Sequence, residues 1–376
     1  MEFDYEPDAV PEYPKWHLSL LTTKDTKRRQ QEIQPITHNA IIILRNAPEF
    51  AGLLGFDEMA QAPTIMREPA YIDHAGTIGG TYPRPFGDAE ATMITATLQA
   101  RWTPGFNTRV VAEAMLVVAK SNPYHRLRDW LLSLPPPAPD TPRFLDTWLV
   151  DAFQADDTPL NRAIGRKVMI ASVARVLKPG CKVDTMMILE GQQGIGKSEG
   201  VRITWGPEYY SAQMVRDLDS RDASIAMRGK WVFEFAEIEH LIRADIETIK
   251  AFLTRQVEDY KPMYGRTNIS EPRTCVFVGT TNATDYLRDP TGNRRFWPVR
   301  CQAVDLDWLH MFRDYIWAEA VAAFHAGETW WIDDEAIFPA IAEAQAERVV
   351  EDTWSETVER FVNGKEMVAL ADVIMD

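Results

Sequence analysis

The sequence predicts an α/β fold. Three apolar runs indicate buried strands, because each has the length of a strand and ends in glycine or in polar residues. They lie at 186–189, 230–237 and 274–282. A helical pattern follows the first run, and segments with helical spacing precede it. The chain therefore combines both types of element.

The first run leads into the pattern G-x-x-x-x-G-K-[ST], which is the P-loop signature. Its glycines allow successive backbone N–H groups to surround phosphate oxygens, and the following helix adds its positive N-terminal end. Lys197 is expected to reach the β- and γ-phosphates of ATP, and the Ser198 hydroxyl to hold Mg²⁺. The predicted nucleotide-binding residues are Gly191, Gln192, Gln193, Gly194, Ile195, Gly196, Lys197 and Ser198. A glycine turn without a ligand is the alternative, and it leaves the Lys-Ser pair unexplained.

Chain length and composition limit the classes of protein that fit. With 376 residues, two or three folding units are expected. The net charge of −15 argues against a generally basic DNA-coating protein, although a local basic lining stays open. Cys181, Cys275 and Cys301 are far apart, which predicts reduced thiols. Without a signal peptide or a long apolar run, the protein is expected to be soluble and cytoplasmic, with no membrane partner.

The region before the P-loop is predicted to be mainly helical. Its predicted helices lie at 37–44, 89–100, 108–120, 144–150 and 161–177. In the third of these, Val111, Met115 and Val118 fall on one face. Residues 71–87 are rich in Gly and Pro and predict a loop or short strands. The proline-rich stretch 134–139 cannot sustain a helix and is interpreted as a rigid elbow.

The second and third apolar runs end in residues suited to ATP hydrolysis. Glu237 ends the second run and is predicted to activate the attacking water, with Glu234 as the partner on the metal side. On an extended chain these carboxylates point to opposite faces, so one of them is open to a structural role. Asn282 ends the third run, where an amide can hydrogen-bond both the γ-phosphate and the water. An asparagine that only closes a turn is the alternative.

Two further segments carry basic residues. Arg294 and Arg295 stand between a turn and an apolar run, where an arginine finger supplied to a neighbouring subunit competes with a simple surface ion pair. Lys261, Tyr264 and Arg266 interleave charge and aromatic rings around Pro and Gly. Such a loop suits contact with a nucleic-acid backbone, and a solvated hairpin is equally compatible with it.

Taken together, these segments resemble the virulence-associated protein E family, which is related to superfamily 3 helicases and to phage or plasmid primase-helicases. The blocks that carry the resemblance lie at 174–180, 189–198, 230–237, 249–253, 264–266, 279–282 and 289–299. The resemblance covers about 120–350. It implies an AAA+-like ATPase core that forms a ring, a hexamer by analogy with those helicases, and moves along single-stranded DNA.

Carried over residue by residue, the resemblance implies a role for each motif. Lys197 and Ser198 fall in the phosphate and Mg²⁺ site, Glu237 at the catalytic acid and Asn282 at the sensor. The predicted finger is Arg294 or Arg295, and the predicted pore loop contains Lys261 and Arg266. Because 1–120 lacks a paired-carboxylate primase signature, priming is not expected.

Four segments are predicted along the chain. They are a mainly helical region at 1–120, a helical collar or lid at 121–180, the P-loop AAA+-like core at 181–335, and a C-terminal helical or winged-helix segment at 336–376. The last segment is either shortened or cut off by the end of a fragment.

The function predicted from the sequence is that of an ATP-dependent DNA helicase or translocase, acting as a ring oligomer in the replication of a phage, plasmid or genomic island. Host or mobile-element replication proteins are possible partners. The alternative is a nucleotide-switched regulatory ATPase without unwinding activity, used in virulence, packaging or anti-phage defence. A small-molecule kinase sharing only the P-loop is a further alternative, against which the Asn282 and Arg294-Arg295 blocks speak.

Overall fold

The computed structural model describes residues 15–24, 31–69, 81–138, 142–213, 217–261, 268–287 and 293–349, without the side chains of 239–245. The chain divides into two compact units, 1–126 and 127–376. The segments 354–362 and 367–374, in which the sequence predicts a small C-terminal unit, lie outside the described residues. None of the described helices is both long and apolar enough to span a bilayer.

The first unit combines helices with short strands. Its elements are β1 (Thr22–Lys24), β2 (Gln31–Ile33), α1 (Thr37–Asn46), β3 (Leu54–Asp57), β4 (Ala62–Ile65), β5 (Arg84–Pro85), α2 (Asp88–Arg101), α3 (Thr108–Lys120) and β6 (Pro123–Tyr124). The predicted helices at 37–44, 89–100 and 108–120 are confirmed, and Val111, Met115 and Val118 are buried in the core. The hairpin of β3 and β4 was not predicted, because glycine and proline inside short strands weaken the strand pattern.

The second unit holds the residues of the predicted site. Its elements are α4 (Arg126–Ser133), α5 (Trp148–Phe153), α6 (Pro159–Leu177), β7 (Met186–Glu190), α7 (Lys197–Trp205), β8 (Tyr210–Ser211), α8 (Arg221–Met227), β9 (Val232–Ala236), α9 (Ile238–Thr254), β10 (Val257–Tyr260), β11 (Ile269–Pro272), β12 (Val276–Thr281), β13 (Phe296–Arg300), α10 (Leu306–His325) and α11 (Phe338–Ala346). The three predicted strand runs are confirmed as β7, β9 and β12, and the helix at 161–177 as α6.

The predicted helix at 144–150 begins later than expected, as α5. The backbone N–H groups of Phe144 and Leu145 donate to the carboxylate of Glu319, at 2.9 and 3.2 Å. This contact from helix α10, far along the chain, holds the segment before α5 in a turn. The spacing of apolar residues in 144–150 contains no signal for such a distant partner, so the sequence predicts a helix start before the observed one at Trp148.

Five strands of the second unit form a parallel sheet in the order β13-β7-β12-β9-β8. Strands β7 and β12 are buried along their whole length, as expected of parallel strands covered on both faces. Helix α9 contributes to the apolar cluster on one face of the sheet. Helices α6, α7 and α10 pack against one another and supply the other layer.

A cluster of buried tryptophans fixes the helix that follows the glycine-rich loop. Trp205, at the C-terminal end of α7, packs its ring 6.2 Å from that of Trp148 and 5.9 Å from that of Trp317. The indole N–H of Trp205 donates to Ser172 Oγ at 3.0 Å, so its polar atom is satisfied although the side chain is fully buried. The orientation of α7 is therefore set by the core.

The antiparallel pair β10 and β11 forms a hairpin outside the main sheet, and Lys261 follows β10. A buried ion pair anchors its base, since Arg273 Nε donates to Glu258 Oε1 at 2.7 Å. Ser224 Oγ donates to the other oxygen of Glu258 at 2.8 Å. The hairpin thus starts from a rigid point in the second unit. Tyr264 and Arg266, predicted to contact nucleic acid, lie outside the described residues.

Candidate functional site

The glycine-rich loop joins the end of β7 to the start of α7. Gly191, Gly194 and Gly196 have φ angles of 154°, 84° and 98°, which side chains rarely tolerate. A Cβ atom on Gly191 would lie 2.4 Å from the carbonyl oxygen of Cys301, at the end of the neighbouring strand β13. Gly191 is therefore required by the close approach of two backbones, and Gly194 has open space around it.

The parallel register brings three loops together at one edge of the sheet. Glu190, the last residue of β7, is level with Thr281 of β12, and Thr280 is level with Ala236 of β9. The residues after these strand ends face one cavity of about 330 Å³. Its lining consists of Gln193, Gly194, Gly196, Lys197, Ser198, Glu199, Ala236, Glu237, Thr280, Thr281 and Asn282. The structure thus brings five of the eight predicted loop residues to one cavity with Glu237 and Asn282, and Gly191, Gln192 and Ile195 are not in its lining.

The Lys197 ammonium is held close to the loop from which it starts. Its Nζ donates to the carbonyl oxygens of Gly191 and Gln192 at 2.6 and 2.8 Å, and to Asn282 Oδ1 at 3.0 Å. The residue is buried, so these acceptors replace the water that a cation loses on burial. Lys197 and the predicted sensor Asn282 are therefore in direct contact.

A buried carboxylate lies beside the first turn of α7. Glu234 is 1% exposed and accepts three hydroxyl hydrogen bonds. Its Oε1 accepts from Ser198 Oγ at 2.5 Å and from Thr280 Oγ1 at 2.7 Å, and its Oε2 accepts from the Tyr210 hydroxyl at 2.6 Å. Burial, together with the hydrogen bond to Glu234, raises the pKa of Tyr210 above its ordinary value, so the phenol stays protonated and acts as the donor.

This group of residues fits a magnesium ion that is shared with phosphates. Magnesium is commonly bound by one or two carboxylates, water and substrate phosphates rather than by an all-protein cage. The described ranges contain no cluster of three or more His, Cys, Asp or Glu side chains. Ser198 and Glu234 supply a hydroxyl and a buried carboxylate, and hydroxyl donors alone leave the negative charge of that carboxylate uncompensated.

Glu237 lies beyond the end of strand β9. It is exposed, its φ of 51° is in the left-handed region, and helix α9 starts directly after it. The expectation that Glu234 and Glu237 point to opposite faces of one extended strand is wrong, because the strand ends at Ala236. Glu237 lines the cavity, and Glu234 touches Ser198 at the start of α7.

The two predicted arginines lie away from the cavity. Arg294 and Arg295 form a 3-10 turn just before β13, and β13 runs parallel to β7. They therefore stand at the opposite edge of the sheet from the glycine-rich loop. There they line a second cavity of about 700 Å³, together with Trp297, Trp330 and Trp331.

Two features of the site have no signal in the sequence. Tyr210 lies on a two-residue edge strand without a strand pattern. Glu190, directly before the loop, accepts from the Tyr286 hydroxyl at 2.6 Å and pairs with Arg348 at 2.7 and 2.9 Å. Burial, and next the charge of Glu190, raises the pKa of Tyr286 well above its ordinary value. Arg348 is 158 positions away from Glu190, and no local pattern links such distant residues.

Strand β7, the glycine-rich loop and helix α7 follow one another in the order that the P-loop pattern requires. The model of the virulence-associated protein E-like domain matches residues 138–350, which is more than half of the chain. The chain belongs to this family, as the sequence resemblance predicted. No curated protein matches it.

Solved structures with some similarity include apo forms of the NrS-1 C-terminal region. For the A form of residues 305–718, identity is 14% and the TM-score 0.42, over 82% of this chain and 74% of that chain. A second apo structure of that region has 14% identity and a TM-score of 0.40, over 84% and 72% of the two chains. These values are too low for a conclusion about this chain.

The environment of the loop predicts unequal effects of two glycine substitutions. Gly191→Ala should lower the free energy of unfolding by about 1–3 kcal/mol more than Gly194→Ala, because only the first forces β7 and β13 apart. Both variants carry the strain of an unfavourable φ angle, so Gly194→Ala is the matched control. Urea denaturation measures both values, and equal losses would contradict the close approach at Cys301.

Proposed function

We propose that this chain is an ATPase of the ring-forming AAA+ type, which moves along single-stranded DNA during replication of a mobile element. One observation carries the proposal: Lys197, Ser198 and Glu234 are held together at the start of α7, with Ser198 2.5 Å from Glu234. The sheet order gives further support. Counted along the chain, its strands stand in the order 5-1-4-3-2, so the strand that leads into the glycine-rich loop lies inside a parallel sheet, and such sheets bind ligands beyond the carboxyl ends of their strands.

Nucleotide binding would give three residues, Lys197, Ser198 and Glu234, new partners. Lys197 would move from the carbonyl oxygens of Gly191 and Gln192 to the phosphates, which are stronger acceptors for an ammonium group. Ser198 and Glu234 would hold Mg²⁺, which supplies positive charge to the phosphates during phosphoryl transfer. Asn282, which contacts Lys197, would sense that exchange.

The two carboxylates would then have different roles. Glu237 is exposed, lines the cavity and is the proposed base that orients and deprotonates the attacking water. Glu234 is buried against Ser198 and would serve the metal. Each carboxylate thus has its own role in hydrolysis, and neither is only structural.

Substitution of each carboxylate tests this division. Glu237→Gln should lower the rate of ATP hydrolysis by about 10²-fold or more and preserve nucleotide affinity, because it removes the base and keeps the shape. Glu234→Gln should raise the Mg²⁺ concentration needed for half-maximal rate. Phosphate release measures the rate and its dependence on Mg²⁺, and binding of a fluorescent nucleotide measures the affinity. Glu199→Gln is the matched control, since Glu199 lines the same cavity and pairs with Arg202 at 2.7 Å. A Glu237→Gln variant with wild-type turnover would refute the assignment.

The position of the arginines supports a site shared between subunits. Arg294 and Arg295 precede β13, and the glycine-rich loop follows the other end of the paired strand β7. Five residues of extended chain span roughly 13–16 Å. Within one subunit the arginines therefore stand a strand length from the loop, so we propose that they serve the nucleotide of a neighbour in the ring.

Mixed rings distinguish this arrangement from one within a single subunit. Subunits with Lys197→Ala and subunits with Arg294→Ala or Arg295→Ala should be inactive alone. An equal mixture should regain about a quarter of the wild-type rate, because one interface in four joins an intact loop to an intact arginine. Light scattering confirms that both variants assemble. No regain in any mixture of assembled variants would exclude the shared site.

The proposed contact with DNA rests on the β10–β11 hairpin. Lys261 is exposed at the end of β10, and the Arg273–Glu258 pair fixes the base of the hairpin. A cation on a firmly based hairpin suits contact with phosphates along a single strand. We propose the same contact for Tyr264 and Arg266, which the sequence predicts to bind nucleic acid.

A further inference from the structure

The hydroxyl of Tyr210 occupies one oxygen of the Glu234 carboxylate. Its donation to Oε2 at 2.6 Å leaves Oε1 to Ser198 and Thr280, at 2.5 and 2.7 Å. The two oxygens are thus divided, one toward the start of α7 and one toward the sheet edge. Within the part of the chain that the structure describes, the hydrogen-bond partners of Glu234 are hydroxyl groups.

This division matters because the last torsion of a glutamate is soft. The carboxylate plane turns over a broad range unless hydrogen bonds hold it. The donors Ser198 and Thr280 both lie on Oε1 and leave Oε2 free to swing about that oxygen, and the Tyr210 donor on Oε2 removes this freedom. Groups that orient metal-binding carboxylates typically contribute 10- to 100-fold to metal affinity.

The main chain holds Tyr210 where it can act in this way. Strand β8 pairs with β9, with Tyr210 level with Val232, two residues before Glu234. The position of the phenol is therefore set by the same strand that carries the carboxylate.

We propose that Tyr210 is a positioning residue for the magnesium site, holding the Glu234 carboxylate so that Oε1 faces the metal beside Ser198. The inference rests on the proposed function and deepens it. It names a residue that sets metal affinity and that lies outside both the glycine-rich loop and strand β9. Tyr210 touches neither nucleotide nor metal in this account.

Tyr210→Phe tests the proposal, since it removes one hydroxyl and keeps the ring. The dissociation constant of Mn²⁺, measured by electron paramagnetic resonance with ADP present, should rise about tenfold or more. The Mg²⁺ concentration for half-maximal hydrolysis should rise by a similar factor. Nucleotide affinity without metal should stay unchanged, and kcat at saturating Mg²⁺ should stay within about twofold. A merely structural role would not separate metal affinity from these other quantities.

Tyr260→Phe is the matched control. Its hydroxyl also donates to a carboxylate, Glu271 Oε2, at 2.8 Å, but on the β10–β11 hairpin. It should leave Mn²⁺ affinity unchanged. Wild-type metal affinity in Tyr210→Phe, or an equal loss in Tyr260→Phe, would overturn the inference and leave the proposed function intact. A wild-type protein that binds neither Mn²⁺ with ADP nor nucleotide alone would overturn both.

Discussion

The parallel register of β7, β12 and β9 is the constraint on which the site depends. It brings the ends of three strands level, so that the loop after Glu190, the amide of Asn282 and the carboxylate of Glu237 meet at one edge. A one-residue slip of β9 would turn Glu234 to the opposite face of the sheet and away from Ser198. The core supports this register, since strands buried on both faces leave little freedom to slide.

The site holds a buried positive and a buried negative side chain even without a ligand. A buried cation, Lys197, is solvated by carbonyl and amide oxygens, and a buried anion, Glu234, is solvated by hydroxyls. The described hydrogen-bond partners of the Glu234 carboxylate are hydroxyl groups, which compensate its burial only in part. A divalent cation would supply the opposite charge. The buried carboxylate therefore supports the proposal that the site takes a metal together with phosphate.

The tertiary contacts also explain how much of this could be predicted. The strand ends at β7, β9 and β12 could be predicted because motif and apolar run coincide there. The distance of Arg294 from the glycine-rich loop could not, since it follows from the parallel pairing of β13 with β7. The left-handed backbone at Glu237 could not be predicted either, because only the structure shows that strand β9 ends at Ala236. The roles of Tyr210 and Arg348 in the site could not be predicted for a similar reason. Their partners are 24 and 158 positions away, and a single sequence carries no pattern for such pairs.

The central claim is that this loop drives a motor on DNA, and one measurement tests it most directly. ATP hydrolysis is followed with and without single-stranded DNA, for the wild type and for Lys197→Ala, with the mass determined by light scattering in the same buffers. The account predicts a multimer whose turnover requires Lys197 and rises with DNA. A monomer that hydrolyses no ATP in either condition would contradict it, and turnover indifferent to DNA would favour the nucleotide-switched alternative.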